Sequence, residues 1–173
     1  MTEAISERAI QTRRVLDKIL AFFLLVLMVA LVVDVSWQVA SRYILKEPSS
    51  FTDELARFLL IWLGMIGAAY GLGQRVHLAI DLVMVNKTSR FQRRLRRFIH
   101  LLIFLFSASV LIYGGGGLVK ITFVLKQTSS ALGLSLGWVY LAIPISGVLT
   151  CIYAALNFIN PQIKYFEPSK VNA

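Results

Sequence analysis

Four groups of residues in this 173-residue chain have the types and spacing that chemistry could use. The segment GLSLG, residues 133–137, has the G-x-S-x-G form of a serine-hydrolase elbow around Ser135. That motif needs a strand before it and a histidine within about 3 Å of the hydroxyl. His77 and His100 are the only two histidines, and two imidazoles on neighbouring helices could ligate a haem. Asp34 interrupts a long apolar run, where an acid could couple ion movement to transport. The segment SSFTDELAR, residues 49–57, sets Asp53, Glu54 and Arg57 at the mouth of a second apolar run.

The elements that must position these groups are membrane helices. Hydrophobic residues make up 57% of the chain and charged residues 16%, far from the mix of a water-soluble fold. Crossing roughly 30 Å of hydrocarbon takes about 20 apolar residues. Four runs meet that length, at about 19–43, 55–74, 98–119 and 131–158. The connections are short, so residues 1–173 are expected to be a single all-α integral membrane domain. The first run is too long for a cleaved signal and is read as a retained helix. Cys151 is the one cysteine, so neither a disulfide nor a thiolate metal cluster can form within the chain.

Charge position then orients the helices. The net charge is +9, and thirteen basic residues fall before the first run, between the second and third, or after the fourth. The other two connections hold four: Arg42, Lys46, Lys120 and Lys126. Cytoplasmic loops are the basic ones, which predicts both termini in the cytoplasm and leaves no charge for nucleic acid to explain. The segment KTSRFQRRLRRFIHLL, residues 87–102, sets Arg90, Arg93, Arg94, Arg96 and Arg97 against apolar residues at helical spacing. It is expected to lie as an amphipathic helix on anionic phospholipid and to bend into the third crossing. Trp37, Tyr43, Trp138 and Tyr140 suit an outer aromatic belt.

This topology decides between the chemistries. Ser135 falls at the outer face and both histidines near the inner one, so no hydrolase centre forms and an enzyme is not expected. Each histidine also has an ordinary role, beside Asp81 for His77 and in a basic interfacial segment for His100. Asp34 should face protein, and pairing with Arg57 is expected, because both enter from the outer side at similar depth; Asp53 and Glu54 also lie within reach of Arg57 along the helix. Arg13 is taken as exposed. Asp53 and Glu54 favour a helix start, with Ser50 as a loose capping-box partner. Gly64, Gly67 and Gly71 predict close helix packing, whether within the chain or against another. Gly114 to Gly117 predict a frayed or tightly packed helix end.

Arg42-Tyr43, Phe51, the run Asp53-Glu54-Leu55-Ala56-Arg57, Trp62, Gly67, His77 and Asp81 together resemble the signature of the small permease (DctQ-like) subunit of tripartite ATP-independent periplasmic (TRAP) transporters. The likeness extends from about residue 15 to 160. The family pattern favours two glutamates and a tryptophan near the loop, so Asp53 and Phe51 are departures that keep charge or aromatic character. The resemblance implies a sodium-coupled importer of an organic acid such as sialic acid or a C4-dicarboxylate. In it a periplasmic substrate-binding protein delivers cargo to a large elevator-type membrane subunit, and the small subunit is scaffold and anchor. Substrate and sodium sites would belong to the large subunit, leaving this chain without cofactor or catalytic residue. Asp34, Arg42, Asp53, Glu54, Arg57, Trp62, Gly64, Gly67 and Gly71 would serve packing and anchoring. Two rivals stand beside it: a haem-bearing anchor of a respiratory enzyme, which a Soret band would reveal, and a self-sufficient homodimeric transporter, which would take up solute alone.

Overall fold

A computed structural model describes residues 2–46, 49–74 and 89–159, with backbone alone for 2–10, 12, 89, 90, 92, 93, 96, 158 and 159. His77 and Asp81 lie outside the described residues, as do the side chains of Arg90, Arg93 and Arg96. Among the described residues there are four long apolar helices and no strand. The first is Thr2–Ala40, continued by a π-helical turn, Ser41–Leu45. The second is Ser50–Gly73. The third runs from Ser89–Phe106 through a π-helical stretch, Ser107–Gly114, into Gly115–Val124. The fourth opens with Leu136–Tyr140 and continues as Ala142–Ile159.

Each helix is long enough to span hydrocarbon. The apolar window of the first, Arg13–Leu45, has 33 residues, about 50 Å at 1.5 Å per residue, so it must tilt or protrude. The sequence predicted an amphipathic helix that bends into the third crossing; the basic segment and the start of that crossing form one unbroken helix, Ser89–Phe106. Continuous i to i+4 hydrogen bonding explains the difference, since residues 89–106 contain neither proline nor glycine to break it.

The first helix packs on the second, the second on the fourth, and the fourth on the third. One stripe of the first helix makes its seam. Arg13, Asp17, Leu20, Leu24, Leu27, Leu31, Asp34, Gln38 and Ser41 recur at alternating spacings of four and three, and all are buried or half-buried. Of the other residues from Arg13 to Leu45, only Leu16 and Ala40 escape full exposure. A repeat of 3.5 is the period at which one helix keeps the same face toward a neighbour. The seam is leucine in its middle and polar at both ends. Leu20, Ile66, Leu72 and Tyr153 form the buried core where the first, second and fourth helices meet.

Candidate functional site

Polar groups concentrate at the two ends of the helix row, and each cluster ties together segments far apart in sequence. At one end, Ser49 caps the second helix: its Oγ accepts from Thr52 N at 3.5 Å, and its carbonyl accepts from Thr52 Oγ1 at 3.0 Å. The cap is therefore Ser49 rather than the expected Ser50, which is already helical. Asp53 sits in the first turn, where a carboxylate meets the positive end of the helix dipole. Its Oδ2 accepts from Arg57 Nη2 at 2.7 Å, and its Oδ1 lies 3.4 Å from Gln38 Nε2 of the first helix.

Glu54 turns the other way, onto the loop between the third and fourth helices. Its carboxylate accepts from Ser129 Oγ, from Ser130 Oγ at 2.7 Å, and from the backbone N–H groups of Ala131 at 3.0 Å and Leu132 at 3.2 Å. The loop is built to present these donors. Thr128 and Ser135 form an isolated antiparallel bridge, and Ser129 N donates to Leu134 O at 2.8 Å. Gly133 takes φ +64°, a left-handed backbone that suits glycine. Ser135 of the hydrolase-like motif thus closes this loop, just ahead of the short helix Leu136–Tyr140.

The expected Asp34–Arg57 pair does not form. Arg57 is 71% exposed at its side chain and binds Asp53, its neighbour one turn back; its expected contact with Glu54 is likewise replaced by the loop. Leu24 lies 3.8 Å from a Cβ placed at Gly67, and Gln38 meets Asp53, an antiparallel register that puts Asp34 level with Arg57. Level is not enough: Asp34 points into the seam and is 7% exposed, whereas Arg57 points outward. Among the described residues, the buried Oδ2 of Asp34 has no hydrogen-bond partner.

The opposite end holds a cluster that the sequence did not predict. Arg13 is 4% exposed, which corrects the expectation that it is a surface residue. Its Nη1 donates to Asn157 Oδ1 at 2.8 Å, its Nη2 donates to the carbonyl of Gly73, and its Nε lies 3.9 Å from Asp17 Oδ2. Tyr153 OH donates to Asp17 Oδ1, and the Arg13 guanidinium stands 5.9 Å from the Tyr153 ring centre. One cation thereby joins the first helix to the last turn of the second, where the dipole favours positive charge, and to the fourth. The signal available in the sequence was the seam spacing, which carries Arg13 and Asp17 at its start.

Glycines divide into two classes. A Cβ at Gly73 would lie 2.5 Å from the Tyr153 ring, at Gly115 2.7 Å from Ile143, at Gly137 2.6 Å from the Phe123 ring and at Gly147 2.7 Å from Leu111. These are the close approaches inside the chain. Gly64 and Gly71, by contrast, have nothing within 4 Å, and Gly67 makes only the ordinary contact with Leu24. The expected packing of Gly64 and Gly71 is therefore not found among the described residues. Of the four consecutive glycines, Gly115 is the tight one, and all four are helical.

An open groove of about 380 Å³ runs between the second and third helices, floored by the fourth. Met65, Ala68 and Leu72 line one wall, Leu102 and Phe106 the other, and Ser107, Ser146 and Thr150 supply hydroxyls. The remaining predicted residues stand apart. Arg42 is exposed on the π-helical turn, Trp62 meets Phe23 edge-on with ring centres 6.3 Å apart, and Arg94 and Arg97 are exposed. Among the described residues no group of three or more His, Cys, Asp or Glu side chains is placed to hold a metal ion.

Residues 31–162 match the family described as tripartite ATP-independent periplasmic transporters, DctQ component. The sialic acid TRAP transporter small permease protein SiaQ of Vibrio cholerae is 24% identical over 79% of this chain and 77% of its own length. A putative TRAP transporter small permease protein of Haemophilus influenzae is 30% identical over 64% and 67%, respectively. The isethionate TRAP transporter permease protein DctMQ of Oleidesulfovibrio alaskensis is 29% identical over 72% of this chain, a match that occupies 20% of that longer protein.

Proposed function

The chain belongs to the DctQ component family of TRAP transporters, and from that premise we propose that it is the scaffold and anchor of a sodium-coupled organic-acid importer. Its relatives are transporter subunits and not enzymes, and four apolar helices make it a multi-pass membrane protein. The observation that carries the scaffold reading is where the polar groups go. Glu54, Asp53, Arg13 and Asp17 are spent on joining the chain's own helices, and none converges with another on an open polar pocket among the described residues.

In this reading a large membrane subunit carries substrate and sodium and moves like an elevator, and this chain widens the fixed wall beside it. The longer isethionate relative, with the matching part as one fifth of its length, supports a companion membrane portion. The named relatives serve different acids, sialic acid and isethionate, so the cargo is set by the partners and not by this chain. Both termini lie in the cytoplasm of a bacterium whose inner membrane holds the complex, a reading that the basic segments support. The arginine-rich start of the third helix rests on anionic phospholipid. The outer loops, with the Glu54-bound loop foremost, face the periplasmic binding protein. The chain itself takes no cofactor, and sodium belongs to the whole transporter.

Co-expression with the large subunit of the same transporter tests this reading. The two should purify together in detergent, without a Soret band. Separation of the chain as a stable lone species, or a stoichiometric haem, would overturn it.

A further inference from the structure

Resting on that reading, the groove between the second and third helices can be assigned an occupant. Ser107 lines it, is 1% exposed, and its Oγ has no hydrogen-bond partner among the described residues. Ser146 in the same lining is satisfied, donating to Ile143 O at 2.7 Å. Ser107 is ten residues beyond Arg97 in the 28-residue span Arg97–Val124, about 15 Å along the helix axis and about 5 Å short of its midpoint. At that depth neither water nor a lipid head group can serve the hydroxyl, and its Oγ does not donate to a carbonyl one turn back, as that of Ser109 does to Leu105 O at 2.7 Å.

The rim repeats the message in shape. Gly64, Ala68 and Gly71 share one face of the second helix, and among the described residues nothing lies within 4 Å of a Cβ placed at either glycine. Ala68 lines the groove and is exposed. Small residues one turn apart let a second backbone come close, and hydroxyls bind polar side chains across helices. No charged residue lines the groove, so its occupant is uncharged there. An acyl chain would fill apolar space but offers Ser107 nothing. We propose that the groove seats a transmembrane helix of the large subunit, with a hydroxyl or amide side chain at the depth of Ser107.

The test uses the full chain co-expressed with the large subunit. Ala68→Trp fills the groove at an exposed position, and Val33→Trp on the exposed side of the first helix is the comparison. Ala68→Trp should cut recovery of the large subunit about tenfold, the scale of an overpacked contact, and Val33→Trp should leave it unchanged. Elution of each variant as a monodisperse species guards against misfolding. As a second readout, a lipid-soluble diazirine, whose carbene inserts into C–H bonds without water, should label the peptide around Ala68 in the lone chain and spare it in the complex. Full recovery with Ala68→Trp, equal loss in both tryptophan variants, or equal labelling with and without the large subunit would overturn the assignment. So would a phospholipid that Ala68→Trp expels while the large subunit stays bound. Failure of the wild-type chain to recover the large subunit would instead sink the parent reading, and this one with it.

Discussion

Glu54 and Ser130 stand 76 residues apart in the chain and 2.7 Å apart in space. The carboxylate takes four donors from one short loop, two of them backbone amides, and so fixes the loop between the third and fourth helices to the head of the second. Glu54→Ala should release residues 128–135, raising their amide exchange by about tenfold while helix-interior amides stay protected. Unchanged exchange in that loop would contradict the clamp.

Arg13 plays the matching part at the opposite end of the helix row. Arg13→Ala leaves half-buried Asp17 beside Tyr153 without its cation and the last carbonyl of the second helix without its donor. The expected cost is about 3 kcal/mol, against less than about 0.5 for exposed Arg14→Ala. Thermal unfolding of the two variants in one detergent separates these outcomes, and equal midpoints would count against the cluster.

The glycines give a paired prediction. Gly147→Ala drives a methyl into Leu111 and lies 3.2 Å from the Ile112 backbone nitrogen, which cannot swing aside. It should cost about 1–3 kcal/mol. Gly71→Ala meets nothing and gains helix propensity, so the lone chain should be as stable or up to about 1 kcal/mol more stable. Reversal of that order in melting temperature would show the close packing to be elsewhere.

How much of this was legible beforehand depends on which force wrote it. Hydrocarbon thickness sets the length of an apolar run, so the four helices could be read directly. The seam of the first helix was equally present in the spacing of Leu20, Leu24, Leu27 and Leu31, yet hidden, because the valines and phenylalanines facing lipid are as apolar as the leucines facing protein. Polar residues were the visible part of that stripe. Arg13 looked like a membrane-flanking base because its partner, Asn157, is 144 residues away. Arg57 looked like the partner of Asp34 because depth can be counted along a helix, whereas the direction of a long side chain toward Asp53 cannot. Nor does composition say which glycines are pressed close: Gly73 and Gly147 are, Gly64 and Gly71 are not. The π-helical stretch from Ser107 to Gly114 had no sequence signal at all.

Asp34 supplies a prediction of opposite sign to that for Arg13. Its buried Oδ2 has no partner among the described residues, and leucine there would extend the row of leucines by one position. Asp34→Leu should stabilise the lone chain by about 1–3 kcal/mol, the cost of a buried polar group left unbonded. A lower midpoint than wild type would show that the carboxylate is held by a bond in the seam.

The central claim is that this chain supports transport without handling cargo. Proteoliposomes offer the most direct measurement: organic-acid uptake under a sodium gradient, with the periplasmic binding protein and either subunit alone or both together. Uptake should need both membrane subunits and be at background with this chain alone. Uptake by this chain alone, or undiminished uptake by the large subunit without it, would contradict the account.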